Sequence, residues 1–408
     1  MRLGIVLDHF RRERGGTERY LAGLAQRLAA RGHEVRAYCQ DGFSPGRGVE
    51  IVPVATRAWS RAGREREFAA RATSMARAQG CAPVLGIRHV VDVDVYQPHG
   101  GTWAASVTAR LQCERTTWRR SLRAALHDVS PRQRYFARAD REVFERRRGL
   151  LTLAVSPLVR DDVLARYGEF APRVEVVRPA VDVAPVDAAT RRSAREKWRA
   201  RLGASRDARC LAFVAHDFEL KGLRGAIEAF ARSDARRDGA RLIVAGRGRP
   251  GPFARQAAQL GVANAVDFVG ACADVAELLA ATDLLVHPTY YDPCALVTLE
   301  AMAAGVPVVT TRRNGAAPWI ESGGGRVVDE PDDVAALAAA IDALLADRVR
   351  ASAAAAAAGR GLGWDDHLAR IEPLLERGWK SAAAGGATTA GAIAGGASTG
   401  GASTGGAV

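Results

Sequence analysis

Lysine is almost missing from this chain. Of its 58 lysines and arginines only Lys197, Lys221 and Lys380 are lysines, so the sequence defaults to arginine, as GC-rich coding favours, and each lysine carries information. Six cysteines (39, 81, 113, 210, 272 and 294) lie far apart with no CxxC pair. That argues against a zinc ribbon or a dithiol redox motif and fits reduced thiols. No run of eighteen apolar residues occurs, so a membrane-spanning helix is not expected. The opening MRLGIVLDHF has only a short apolar run before Asp8 and lacks the long apolar core and cleavage site of a signal peptide. A cytoplasmic location is therefore expected. No acidic pair in a suitable loop and no His/Cys set suggests a metal, and no nucleic-acid-binding motif is present.

What the chain does have is length, apolar content and positive charge. With 408 residues, 48% of them hydrophobic, it is expected to form two globular domains. A formal charge of +13 favours anionic partners. Part of that charge is concentrated: between Arg110 and Arg148 stand twelve arginines against five acids, with Trp118, Tyr135, Phe136 and Phe144 interleaved. A solvated helical face is the commonest meaning of such a stretch. An anionic membrane surface comes second, and nucleic acid last.

Strand and helix signals alternate along the chain. Residues 2–7, 34–39, 49–54, 94–97, 150–156 and 174–182 read as strands of a first unit, with helices after Gly15-Gly16, near 61–79, within 102–148 and over 157–167. The first helix is expected to be capped by Thr17 and stopped by Gly32. Residues 179–198, rich in Pro, Ala, Asp and Arg, read as a linker running into a charged helix. A second series follows, with strands at 209–215, 241–246 and 265–270, then strand, loop, helix and strand within 282–311, and a loop and last short strand in NGAAPWIE and GGGRVVDE. Further helices follow in 331–379. Two doubly wound α/β domains facing each other are the simplest architecture. The expected boundaries are 1–178, a linker at 179–198, a second domain over 199–362, a C-terminal helix over 363–380, and a low-complexity tail over 381–408 made almost wholly of Ala, Gly, Ser and Thr, which cannot bury a core.

The chemistry concentrates where strands hand over to helices. Gly15-Gly16 permits close approach of backbone to a ligand at a helix start, although a tight turn explains it equally well. DVYQPHGG places His99 at a strand end, where a doubly wound sheet binds ligands; a satisfied core histidine is the commoner outcome. In HDFELKG, Lys221 suits a phosphate as a compact cation. In HPTYYDPCALVTLEAMAAGVPVVTT, Asp292 and Glu300 stand eight apart. Asp292 followed by Pro293 reads as an N-cap with proline at N1. The amides of Cys294, Ala295, Leu296 and Val297 would then form an unpartnered first turn able to face a diphosphate. Glu300 leans back toward that turn and could accept a ribose diol.

These segments resemble the retaining GT-B glycosyltransferases of family 4. HPTYYDPCALVTLEAMAAGVPVVTT resembles their acidic signature region, HDFELKG their phosphate-binding loop and GGTERYLAGLAQRLAARGHEV their glycine loop and helix. The spacing is similar to the lipopolysaccharide core glucosyltransferase I group, over roughly residues 1–380. The resemblance implies a GT-B fold and transfer, with retention, of a hexose from a nucleoside-diphosphate sugar of UDP-glucose type to a glycan or glycolipid acceptor, without metal or other cofactor. It also implies a peripheral position on the cytoplasmic face of the inner membrane. By resemblance, Glu300 binds ribose hydroxyls and Asp292 sits near the sugar hydroxyls, where the family usually has glutamate. Cys294 and Ala295 amides face the sugar, and Leu296 and Val297 amides the phosphates. Lys221 neutralises the leaving diphosphate, His99 lines the sugar site, and Gly15 and Gly16 approach the donor. His216 replaces a family arginine, and Arg247 or Arg249 could supply that charge. A hydrolysing sugar-nucleotide epimerase, a sugar phosphorylase and a non-catalytic nucleotide-sugar binder are the other classes left open.

Overall fold

The computed structural model describes residues 1–378 apart from 115, 146–149, 171–172 and 183–184. The tail 381–408, Lys380 and linker residues 183–184 therefore lie outside the described residues. The first domain is built on seven parallel strands: β1 (Arg2–Val6), β2 (Glu34–Cys39), β3 (Val49–Pro53), β4 (Val84–Gly86), β5 (Val95–Tyr96), β6 (Leu151–Ala154) and β7 (Arg173–Val176). Their order is β3-β2-β1-β4-β5-β6-β7. The second carries β8 (Cys210–Val214), β9 (Arg241–Ala245), β10 (Val266–Gly270), β11 (Leu284–His287), β12 (Val308–Thr311) and β13 (Gly325–Val328), ordered β10-β9-β8-β11-β12-β13, again all parallel. In each sheet the order reverses beside the first strand of the domain. That switch point is where a doubly wound sheet opens a crevice at its carboxyl edge.

The central strands are apolar on both faces because helices cover both faces. Leu3 and Ile5 of β1 and Leu211 and Phe213 of β8 are fully buried. The helix over 364–378 returns to the first domain. Its Trp364, Leu368, Ile371, Leu374 and Leu375, at helical spacing, join the core made by β1 and by Leu21, Leu24 and Leu28 of the helix Gly16–Ala30. Burial of large apolar side chains, worth roughly 1.5–3 kcal/mol each, is what draws the C-terminus back across the domain boundary.

Several expectations need correction. Strand β4 was not anticipated, because three residues give no periodicity. Strand β7 stops at Val176, before the expected 182. The first helix is flanked by Gly15 in extended conformation, and Thr17 lies inside its first turn. The helix expected to start at Asp292-Pro293 spans Leu296–Ala303, with Ala295 at its N-cap, so Asp292 is not the cap. The reason is that Asp292 is engaged elsewhere.

Candidate active site

Lys221 belongs to the turn that leaves β8. Gly222 closes this turn in the left-handed region (φ 79°), where any Cβ would collide with the carbonyl oxygen of Pro288. The turn therefore packs tightly on the loop after β11. It brings Lys221 Nζ to 2.7 Å from Asp292 Oδ2 and 2.9 Å from the Tyr291 carbonyl oxygen. His287 Nε2, at the end of β11, lies 3.6 Å from the same carboxylate oxygen. Burial alone would raise the Asp292 carboxyl. The Lys221 ammonium, helped by His287, outweighs it and holds the group well below the usual carboxylate range. Asp292 is thus a permanently charged partner of Lys221.

The first-turn amides divide into two pairs. Cys294 N–H donates to Asp292 Oδ1 (3.2 Å), and Ala295 N–H donates to Asn314 Oδ1 (3.2 Å). Asn314 is buried and also accepts from Ala316 N–H (3.0 Å). Among the described residues, the Leu296 and Val297 amides make no hydrogen bond. The structure therefore leaves Leu296 and Val297 open at the helix start, while Cys294 and Ala295 are already engaged. Asn314 escaped sequence reasoning; the Asn-Gly pair that contains it reads only as a turn signal.

Glu300, one turn further along, is buried, and its carboxylate meets Arg19 Nη1 of the first domain at 3.4 Å. Burial pushes the Glu300 carboxyl above the ordinary glutamate value, and Arg19 pulls partly against it. Gly16 faces the same helix from the first domain. A Cβ there would stand 3.0 Å from Leu296 Cδ1, a tight contact that glycine avoids. Arg247, beyond β9, is exposed and donates from Nη2 to the Glu13 carbonyl oxygen across the cleft (3.3 Å). It also lies close enough to His216 to reinforce the lowering that burial imposes on that imidazole. Ser156 Oγ donating to the Pro293 carbonyl (2.6 Å) and the Arg110–Asp217 pair (2.8 Å) are further bridging contacts.

His99 stands just past β5. Burial, reinforced by Arg88 and His367, lowers its pKa to about 3, so it is neutral at pH 7. Its Nε2 is buried with no hydrogen-bond partner in the structure. Its ring rests on Tyr20 (centroids 4.8 Å apart). Tyr20 is held in turn by Gln97 Nε2, which donates to the hydroxyl (3.2 Å), and by His367 Nε2 of the C-terminal helix (2.9 Å). His367 Nδ1 donates to the Arg178 carbonyl (2.8 Å), so the Tyr20 hydroxyl donates to Nε2. Trp364 Nε1 donates to Asp182 (2.5 Å). The C-terminal helix thus connects the crossover at 178–182 to the platform under His99. Arg19, Tyr20 and His367 were all missed by sequence reasoning, because their roles depend on contacts between distant segments.

Of the expected residues, the structure brings Lys221, Asp292, Cys294, Ala295, Leu296, Val297 and Glu300 onto one carboxyl edge of the second sheet. Gly16 faces them directly, Gly15 stands at the start of its helix, and Arg247 reaches across the cleft to the first domain. His99 lies at the carboxyl end of β5 in the first sheet, and His216 on the loop after β8. Two doubly wound domains, a helix start with open amides, a lysine beside it and a buried glutamate one turn on define a GT-B glycosyltransferase. Residues 14–185 match the model described as Glycosyltransferase Family 4, and residues 194–360 match Glycosyl transferases group 1. The chain belongs to this glycosyltransferase family and is a hexosyltransferase. It is 29% identical over 321 residues to the lipopolysaccharide glucosyltransferase WaaG of Escherichia coli K12, covering 78% of this chain and 82% of WaaG. It is 34% identical over 230 residues to the D-inositol 3-phosphate glycosyltransferase of Thermomonospora curvata, covering 52% of each. The crystal structure of WaaG superposes with a TM-score of 0.71 at 26% identity, covering 90% of this chain and 96% of that one. Anabaena HepE in complex with UDP and glucose shares the fold at a TM-score of 0.66 and 19% identity, covering 92% of this chain and all of that one.

Proposed function

We propose that the chain transfers glucose from UDP-glucose, with retention, to a sugar hydroxyl of a lipopolysaccharide-core or similar cell-envelope glycolipid, while resting on the cytoplasmic face of the membrane. The observation that carries the donor half is the meeting of Lys221, the open Leu296 and Val297 amides and Glu300 at one helix start. Donor binding would exchange Arg19 for the ribose diol at Glu300. The diphosphate would lie against the two amides, where the helix dipole favours negative charge. Lys221 would share its charge between Asp292 and the leaving phosphate. Charge developing on the diphosphate in the transition state is assigned to these groups, without metal or organic cofactor. Neutral His99 would use its unpartnered Nε2 on a sugar hydroxyl, and the acceptor would attack on the face that the diphosphate leaves.

The acceptor half is supported by a cavity of about 480 Å³ in the first domain, lined by Asp8, Glu65, Arg88, His89, Trp103 and Arg132 among others. Aromatic walls with charged groups suit a polyhydroxylated ring. Membrane contact is supported by the helix Thr117–Val129. Trp118, Leu122, Leu126 and Val129 recur there at helical spacing with exposures of 61%, 52%, 59% and 69%, beside Arg119, Arg120 and Arg123. Among the described residues, no helix is long and apolar enough to cross a membrane. The test is a panel of UDP-, GDP- and ADP-sugars, followed for binding and for release of nucleoside diphosphate with and without a core glycolipid. UDP-glucose should bind, and UDP release should require the acceptor, with the product anomer matching the donor. Release of free sugar without acceptor would overturn the reading.

A further inference from the structure

Away from the crevice, at the amino-terminal edge of the second sheet, Asp283 is buried just before β11 and holds three guanidinium groups at once. Arg195 Nη2 lies at 2.5 Å, Arg348 Nη1 at 3.0 Å and Arg199 Nη2 at 3.3 Å. The Cys210 amide also donates to it (2.9 Å). All its accepting capacity is used, yet one negative charge faces three positive ones. Around this cluster opens a concavity of about 830 Å³ lined by six arginines (192, 195, 199, 206, 209 and 348) against the carboxylates of Glu196, Asp207 and Asp283. Two of the three acids are committed, Glu196 to Arg206 (3.6 Å) and Asp283 to the buried trio, and Arg209 is paired with Asp238 (3.9 Å). The Nε of Arg195 is buried with no hydrogen-bond partner in the structure. Uncompensated charge of this kind, partly removed from water, is costly unless a counter-charge is supplied, and a fork of guanidiniums matches the oxygens of a phosphate group.

We infer that this arginine concavity is a binding site for a phosphate-bearing anion, separate from the donor crevice. Its walls are the helix Ala188–Arg201, which follows the crossover from the first domain, the start of β11, and the helix Arg348–Gly359. An oxyanion seated there ties the first and last of these to the sheet. Occupancy therefore rigidifies the segment that leads into the second domain, and it does so whether or not the transfer reaction is as proposed above.

The test is calorimetric titration of the full chain with inorganic pyrophosphate and inorganic phosphate, performed in the Lys221→Ala, Asp292→Asn double variant, so that the donor crevice lacks its cation without an unpaired carboxylate left behind. Saturable binding of one anion per chain is expected. It should weaken at least tenfold when Arg192→Ala and Arg348→Ala are added, and a few-fold with the exposed Arg206→Ala alone, whose circular dichroism should be unchanged. Tighter binding of pyrophosphate than of phosphate identifies a diphosphate ligand, and equal binding a monoester. Arg192→Ala with Arg348→Ala in an otherwise natural chain should leave the glycosyl-transfer rate in anion-free buffer unaltered. Absence of saturable binding, or an affinity indifferent to Arg192, Arg206 and Arg348, overturns the inference.

Discussion

The two helix starts that face each other across the cleft each follow a strand at the switch point of its sheet, one after β1, the first strand of its domain, and the other after β11, the fourth of its own, and they are finished differently. In the second domain the charged groups already have their partners. Lys221 is tied to Asp292 and Tyr291 and Asn314 serves two amides, while the amides of Leu296 and Val297, the His287 ring nitrogens and the Tyr291 hydroxyl make no hydrogen bond among the described residues. In the first domain the groups are half-finished. His99 keeps an unpartnered buried nitrogen, Arg19 is lent across the cleft to Glu300, and Tyr20 depends on a helix from the far end of the chain. A set of groups fixed in advance suits a constant ligand, the nucleoside diphosphate, because no reorganisation is needed at the moment of reaction. A set completed by other segments suits a step that occurs only when the domains close.

The largest break in this comparison should come from Lys221→Ala. It removes the cation from the leaving group and leaves the partly buried Asp292 uncompensated. We expect kcat/KM to fall by at least about 10²–10³-fold, and stability to fall by about 3–5 kcal/mol, read from steady-state kinetics and denaturant melts. Lys221→Ala with Asp292→Asn should recover stability but not rate. Next comes Glu300→Gln, which turns a charged acceptor for two ribose hydroxyls into a neutral one. Donor KM should rise by roughly 10–100-fold, in keeping with about 1.5–3 kcal/mol for hydrogen bonds to a charged group, with kcat less affected.

A smaller effect sharpens the same point through pH. Burial raises the Glu300 carboxyl, so as pH falls it takes up a proton earlier than an ordinary glutamate does, and the ionised form that accepts the diol is lost. Donor affinity should therefore be full above this raised value and decline as pH drops through it. The decline should begin at a higher pH than a normal glutamate would give, and it should vanish in Glu300→Gln. Tyr20→Phe should have the smallest effect. The ring stays under His99 but loses its bonds to Gln97 and His367, and we expect a fall in kcat of about 2–10-fold with donor KM unchanged. Equal losses in both constants would place Tyr20 in donor binding instead.

How much of this was legible before folding follows the same division. The second-domain edge was readable because its residues sit within one short stretch, 282–311, plus a single lysine in an arginine-rich chain. Glu300 was expected to reach past the first turn, and its carboxylate meets Arg19 of the first domain. The capping role of Asp292 was misread, since proline after aspartate looks like a helix start, and only the fold reveals that Lys221 claims that carboxylate. Strand β4 was too short to see. Arg19 and His367 were illegible for a different reason: they meet Glu300 and Tyr20 across 281 and 347 positions of sequence, and one sequence gives no code for such pairings.

The most direct test of the central claim is a crystal structure with UDP-glucose bound. The account predicts that Arg19 leaves Glu300, that the ribose hydroxyls take its place on that carboxylate, and that the diphosphate lies on the Leu296 and Val297 amides within reach of Lys221. A diphosphate bound away from this helix start, with the Arg19–Glu300 pair intact, would contradict it.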